Sequence, residues 1–390
     1  MDSPLQAPPV VAVVVTCDPG PWLEEALAAL AAQDYPNLSV LVVDANSTVD
    51  PTPRVSQVLP GAYVRRLPVN AGFGGSANAA LEIVEGASHL LFCHDDVAPE
   101  PDAVRLMVEE AFRSNAGMVA PKLVDWRDPA RLLAVGVGAD KSGAPYPLVE
   151  RGELDQEQHD AVRDVFVAPG ACTLVRADLF ASLGGFDPVM RLYGEDLDLS
   201  WRCQIAGARV VVAPAARVRH LEAMSSGQRS PYGGRPPADM AELRRQVRPL
   251  QLRHRLRTVF KCYGRWHLAR VLPQIAVLAA AEVVFGLVTG HGRTARDTVA
   301  AWSWNLGRLG EVRRARREVR RTRRVSDAEV RRLQARGSAR FGAFVRGQLA
   351  PGRTRPAGVP RWRPAGAEGR EEPDSLRLPL AVGGVLTLVL

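Results

Sequence analysis

The sequence predicts an α/β fold, a mostly parallel sheet flanked by helices, continued by an Arg-rich helical, membrane-associated extension. Three observations carry this. Short β-branched runs alternate with amphipathic stretches through the first half of the chain, the pattern of a parallel sheet covered by crossover helices. Acidic residues gather where the apolar runs end, and α/β sheets bind ligands at the carboxyl ends of their strands. Beyond about Met240 the chain turns to Arg-rich helices around one apolar run.

The elements follow in order. Residues 10–15 are a buried strand, and 18–21 a turn. Residues 22–32 have helical apolar spacing, with Glu24 and Glu25 in the first turn, where the helix dipole favours acids. Residues 39–43 form the next strand, ending at Asp44, and 63–67 a third. Residues 76–84 read as a helix opened by a glycine-rich loop. Residues 89–93 are a strand ending in His94-Asp95-Asp96. Residues 102–113 are an amphipathic helix, and 116–120 a strand. Residues 125–165 read as loops and short strands. Residues 165–176 are strand-like, 177–183 helical, and 193–207 an acidic cluster leading into a helix. Residues 209–213 and 217–220 are two strands. Residues 225–237 are a Ser/Gly/Pro/Arg-rich linker.

The net charge of +8 is local. Up to about Met240 acids outnumber bases, and the Arg surplus lies beyond it. Such a tract attracts phosphates of lipid or nucleic acid. It lacks interleaved aromatics and any groove-reading motif, so no nucleic acid partner is expected. The five cysteines show no CxxC spacing, which gives no support to a zinc or redox motif and fits a reducing compartment. No secretory signal pattern opens the chain.

Four constellations can carry chemistry. Adjacent carboxylates in His94-Asp95-Asp96 repel unless a cation or hydrogen bonds compensate them. A divalent metal is one solution, and a turn or helix cap is the other. In Glu195-Asp196-Leu-Asp198, Glu195 and Asp198 share a helical face while Asp196 sits apart. An acidic first helical turn accounts for it equally. The glycine-rich run from Asn70 through Gly72 to Asn78 opens a helix, where backbone can approach a phosphate; a tight turn is the alternative. His220 follows a strand as a ligand or as a structural histidine.

The order of these motifs resembles the family 2 glycosyltransferases of the GT-A, Rossmann-like fold, over roughly residues 8 to 225. The resemblance implies donor contacts from Thr16 after the first strand, Asp44 after the second, the Asn70, Gly72 and Asn78 segment, and Asp95. His94-Asp95-Asp96 stands in the place of the family's DxD motif, departing from it at His94. Glu195-Asp196 matches the motif holding the catalytic base, with Trp201 and Arg202 on the acceptor side. The resemblance implies that Asp96, His220 and His94 bind a divalent metal, Mn2+ or Mg2+. It further implies an inverting displacement in which Asp196, or else Glu195, deprotonates the acceptor. The expected partners are a UDP- or dTDP-sugar donor, a cell-envelope glycan or lipid-linked acceptor, and anionic membrane lipid. Two competing functions are a catalytically inactive membrane-associated module, suggested by His94, and a sugar-nucleotide pyrophosphorylase. The latter would want a Gly- and Arg/Lys-rich signature where Thr16-Cys-Asp-Pro-Gly stands.

The expected organisation is a catalytic domain over 8–237 and a basic, helical, membrane-associated region over 238–349. A disordered linker over 350–375 and the start of a transmembrane helix over 376–390 complete it. Residues 271–289 are about long enough to span a bilayer, which needs ~20 residues. They carry Gln274 and Glu282 and lead into a basic stretch, which a crossing would put outside, against the positive-inside rule. They are therefore expected to lie at the membrane interface, with the catalytic domain on the cytoplasmic face. The apolar run at 378–390 is expected to begin the first true span, as in a fragment of a longer protein.

Overall fold

A computed structural model of the chain describes residues 7–231 and 234–335. Its strands are β1 (Val10–Thr16), β2 (Leu38–Asp44), β3 (Tyr63–Arg66), β4 (His89–His94), β5 (Val97–Pro99), β6 (Ala116–Asp125), β7 (Leu132–Ala134), β8 (Val137–Ala139), β9 (Pro145–Pro147), β10 (Arg163–Asp164), β11 (Cys172–Arg176) and β12 (Arg209–His220). The main sheet runs β10-β12-β6-β11-β4-β1-β2-β3, with β5 on β12 and β7 on β6. The ladders β1–β2, β1–β4, β2–β3 and β6–β12 are parallel. β11 runs antiparallel between β4 and β6. β8 and β9 form a separate hairpin.

Valine runs make these strands because both faces of the sheet are covered. In β1, Val10, Ala12 and Val14 pack with Leu23, Leu27 and Met107 from the helices Leu23–Ala31 and Ala103–Arg113. Val13 and Val15 point the other way, with Phe73, Phe180 and Leu199 from the helices Gly72–Ala77, Ala177–Ser182 and Glu195–Ile205. The α/β fold class expected from the sequence is thus what forms.

Several boundaries differ from expectation. The glycine-rich segment is itself helical: Asn70 Oδ1 accepts from Gly72 N at 2.8 Å and starts the helix Gly72–Ala77, and a second short helix, Ala80–Ile83, follows. Residues 165–171 are irregular, and the strand begins only at Cys172. Residues 209–220 are one strand rather than two, with a register shift between Ala213 and Arg217. Pro214 lies in that interval, and a proline has no N–H to offer the ladder. Because β12 continues past the shift, β6 extends with it to Asp125.

The Arg-rich region forms the helices Met240–Cys262, Arg265–Val288, Gly292–Leu306, Leu309–Thr322 and Asp327–Val330. Leu256, Val259, Tyr263, Val271, Val312 and Val319 share one apolar core with Phe166, Leu197 and Trp201 of the sheet domain. A buried ionic network reinforces the join. Asp187 is paired with Arg257 at 2.9 Å and Lys261 at 2.6 Å. Lys261 also reaches Asp198 at 2.6 Å, and Asp198 pairs with Arg202 at 2.8 Å. The regions expected as a linker at 350–375 and as a span at 376–390 lie outside the described residues.

Burial alone would raise the Asp187 carboxyl, but Lys261 and Arg257 outweigh it and hold the group well below the carboxylate range. Its folded pKa therefore lies below the unfolded one, so its stabilisation is full at neutral pH and lost as pH falls below about 4. Lys261→Met leaves each of two buried carboxylates with a single cation, Arg257 on Asp187 and Arg202 on Asp198, and is expected to cost about 3 kcal/mol at pH 7. Urea titration of both proteins at pH 7 and at pH 3 measures this, and the gap between them should narrow at the lower pH.

Candidate active site

The carboxyl ends of β1 and β4 open into a cleft lined by Thr16, Cys17, Asn70, Gly72, His94, Asp96, Gly170, Glu195, Asp196, His220 and Arg229, among others. One short pairing builds its metal-ligand side. After His94 the chain turns through Asp95 and Asp96 and enters β5, which pairs antiparallel with the end of β12, His220 opposite Val97. This brings His220 to within 3.5 Å of Asp96 Oδ1, while His94 Nδ1 lies 3.7 Å from the same oxygen. Asp96 Oδ2 accepts from the Ala223 amide at 2.8 Å. Asp96 Oδ1 is buried and has no hydrogen-bond donor. The ligand atoms of His94, Asp96 and His220 all lie within 4.8 Å of one another, so the three could hold one metal ion. The edge of Phe73 packs on the His94 ring, with centroids 4.6 Å apart.

The electrostatics of this group are mutually sustaining. Burial would raise Asp96, but His220, His94 and the Ala223 amide hold it well below the carboxylate range. Burial draws His94 down to about 4, against the pull of Asp96. Burial also opposes His220, yet the Asp96 carboxylate raises it above the ordinary imidazole value.

The opposite wall is the start of the helix Glu195–Ile205. Tyr193 and Gly194 both adopt positive φ, 63° and 92°, a conformation glycine accepts freely and tyrosine seldom does. His254 braces this turn: its Nδ1–H donates to the Leu192 and Tyr193 carbonyls at 2.9 and 2.8 Å. Burial, then the charges of Asp196 and Asp198, pushes the Glu195 carboxyl up to about 8. Asp196 is raised by burial too, but backbone amides at Leu197 and Gly170 pull it back. Two neighbouring carboxyls are thereby given different proton affinities.

Thr16, Asn70, Gly72, His94, Asp96, Glu195, Asp196 and His220 are therefore brought to one cleft. Gly72 has φ 75°, and a Cβ there would meet the Arg191 carbonyl at 1.6 Å, so only glycine fits. The other residues singled out in the sequence lie elsewhere. Asp44 is fully buried and accepts from Arg66 at 2.8 Å and from the Ser47 amide at 2.9 Å. Asn78 exchanges hydrogen bonds with the backbone of Phe186 at 3.0 and 2.8 Å. Trp201 is in the core against Phe166 and Tyr263, and Arg202 is buried on Asp198. Asp95 is fully buried behind the wall; its Oδ2 accepts from Thr16 at 2.6 Å and from Arg229 at 2.7 Å.

Arg229 is the cleft residue that sequence reasoning missed. It comes from the segment expected to be a linker. Its guanidinium is fixed by Asp95 and lies 5.3 Å from the Trp22 ring centroid. Its Nε has no hydrogen-bond partner. No spacing rule links Asp95 to a position 134 residues away. The only signal was a lone arginine among small residues shortly after His220.

The comparisons with known proteins agree with this geometry. The family model described as "Glycosyltransferase like family 2" matches residues 8–234, which include both walls of the cleft. The N-acetylglucosaminyl-diphospho-decaprenol L-rhamnosyltransferase of Mycobacterium tuberculosis is 32% identical over 244 residues, covering 56% of this chain and 78% of that protein. The O-antigen biosynthesis protein RfbC of Myxococcus xanthus is 28% identical over 229 residues, covering 57% of this chain and 18% of that one. Among solved structures, GalNAc-T7 with UDP, GalNAc and Mn2+ matches with a TM-score of 0.51 at 13% identity, covering 67% of this chain and 49% of that chain. This chain thus spans about half that structure, and the likeness speaks for the GT-A fold alone. The fold, the family model and a relative matched over most of its length place this chain in one family: it belongs to the family 2 glycosyltransferases, nucleotide-sugar-dependent enzymes.

Proposed function

We propose that this chain moves a sugar from a UDP- or dTDP-sugar to a lipid-linked or glycan acceptor of the cell envelope, by one inverting displacement. The observation that carries this is the meeting, in a single cleft, of the His94–Asp96–His220 group with the Glu195–Asp196 pair. The lipid-linked form of the acceptor is suggested by the mycobacterial relative, whose name specifies a diphospho-decaprenol. The cleft is placed on the cytoplasmic face of the cell membrane, where nucleotide sugars are made.

Asp196 is the base. Burial raises both carboxyls, but backbone amides draw Asp196 back, while Asp196 and Asp198 help push Glu195 up to about 8, so Glu195 keeps its proton at neutral pH. Asp196 takes the acceptor hydroxyl proton as that oxygen attacks the anomeric carbon. Glu195, protonated beside it, can donate a hydrogen bond to a sugar hydroxyl. Arg229, fixed on Asp95, offers its buried Nε toward the donor diphosphate. Thr16 and Asp95 hold that arginine in register. Asp96, His220 and His94 fit a divalent ion through the orphaned Asp96 Oδ1, and two imidazoles with one carboxylate suit Mn2+ better than Mg2+. When bound, such an ion neutralises charge on the leaving diphosphate. Asp44, committed to Arg66, would meet the base only through that pair.

Two outcomes test this. Asp196→Asn should lower transfer by at least about 10²-fold with donor affinity largely kept, as read by steady-state kinetics beside donor-binding calorimetry. In the unmodified enzyme, kcat/KM should fall on the acid side of a pKa above the ordinary ~4 of a carboxylate, and survival of transfer within tenfold in the variant would remove Asp196 from the role.

The ligand group makes a separate claim. Chelation should abolish transfer and Mn2+ should restore it, while full activity in chelator would exclude the metal. His94→Asp, which keeps a ligand at that position, should retain more activity than His94→Ala at matched Mn2+ concentration.

A further inference from the structure

We propose that one face of the helix Arg265–Val288 is a bilayer-docking surface, half-immersed in one anionic leaflet and lying along it rather than crossing it. This deepens the membrane placement proposed above by naming the face and its depth.

Among the described residues, this is the one helix long and apolar enough to cross a membrane. Its sides are unequal. At 100° per residue, the buried Val271, Ile275 and Gly286 share one side, against the core and the neighbouring helices. The opposite half-cylinder is open. Trp266 is 86% exposed, Val277 51%, Val284 59%, Phe285 61% and Val288 81%. From Ala276 to Val288 every exposed residue of this helix is apolar. A contiguous apolar face of this kind in water marks a binding surface.

Glu282 had argued against lipid contact, since an acid at mid-span is costly. It points the other way. Arg248 holds it at 2.7 Å, and Thr298 donates to it at 3.2 Å. Arg248 also lies 3.8 Å from Asp297. The protein side of the helix thus carries Glu282, held by Arg248 of Met240–Cys262 and Thr298 of Gly292–Leu306, beside the apolar Val271 and Ile275. Lipid cannot surround the helix without breaking these pairs, so it does not cross.

The occupant is read from the ends. Exposed arginines flank the apolar face at Arg265 and Arg270 on one side and at Arg293 and Arg296 on the other. Arginines at both ends of an apolar strip complement anionic headgroups on one leaflet, with their stems reaching up from the acyl boundary. Trp266, with its amphipathic ring exposed, suits headgroup level. An interfacial helix of this type buries its apolar face about 5–10 Å deep.

The test uses the full chain with Cys17→Ser, the other four cysteines being buried. An environment-sensitive thiol probe is attached at Val284→Cys, and at Glu109→Cys as a control on the exposed side of the helix Ala103–Arg113. Vesicles of phosphatidylcholine with and without phosphatidylglycerol carry nitroxides at shallow or deep acyl positions. The probe at position 284 should shift to the blue and be quenched more by shallow than by deep nitroxide, on anionic vesicles, and the control should not respond. Adding Val288→Glu and Phe285→Glu to the labelled protein should weaken this immersion by at least about tenfold. Stronger deep quenching would mean a span and overturn the proposal. So would no quenching, or a blue shift without vesicles that is lost on dilution, which would mean the face is covered by a second copy. Because the probe reports local depth, an anchor elsewhere in the chain does not mimic the expected result. Donor hydrolysis by the unlabelled protein with Cys17 intact reports separately on the catalytic reading.

Discussion

Lys261 stands between two buried carboxylates, Asp187 and Asp198, each 2.6 Å from its ammonium. The rest of the structure hangs on this arrangement. Asp198 belongs to the helix that begins with Glu195 and Asp196, and Asp187 to the loop that Asn78 staples through Phe186. Lys261 and Arg257 belong to the first long helix after the sheet domain. Buried charges of this kind are tolerated only when fully paired. The helix Met240–Cys262 therefore cannot leave without stranding Asp187 and taking one of the two cations from Asp198, two residues from the proposed base. The same helix carries His254, which fixes the left-handed turn at Tyr193 and Gly194. The Arg-rich region is thus part of the scaffold that holds the cleft.

The cleft divides its charge unevenly, and burial is the reason. On one wall burial meets opposite charge: Asp96 stays ionised because two imidazoles and an amide face it. On the other wall burial meets like charge: Glu195 is driven up by Asp196 and Asp198. One wall is suited to hold a cation and a diphosphate, the other to exchange a proton. Arg229 closes the first wall from a segment with no regular structure, held there by its ion pair with Asp95. Asp95 and Asp96, adjacent in sequence, thereby face different partners, Arg229 and the two imidazoles.

The buried side of Arg265–Val288 and the helix Glu195–Ile205 contribute to one continuous core, through Val271 and Ile275 of the first and Leu197 and Trp201 of the second. The protein side of Arg265–Val288 is fixed by Glu282, Arg248 and Thr298, so its exposed apolar side has one orientation relative to the cleft.

The sequence by itself determined the alternation of valine runs and amphipathic helices, and hence the α/β sheet, because side-chain periodicity is a local property. It also determined the acidic motifs and their order, since His94-Asp95-Asp96 and His220 follow strands and Glu195-Asp196 opens a helix. What it could not assign was which neighbouring carboxylate faces the cleft. Asp95 turns inward to Thr16 and Arg229 while Asp96 turns to the histidines, and that choice is made by the pairing of the three-residue strand β5 with β12. Asn78, Trp201 and Arg202 stand within the motifs yet serve the scaffold, because buried hydrogen bonds and packing claim their side chains first. Arg229 and Lys261 were invisible for the complementary reason: each meets its partner across more than sixty residues, and no local pattern records a contact that only the closed chain creates.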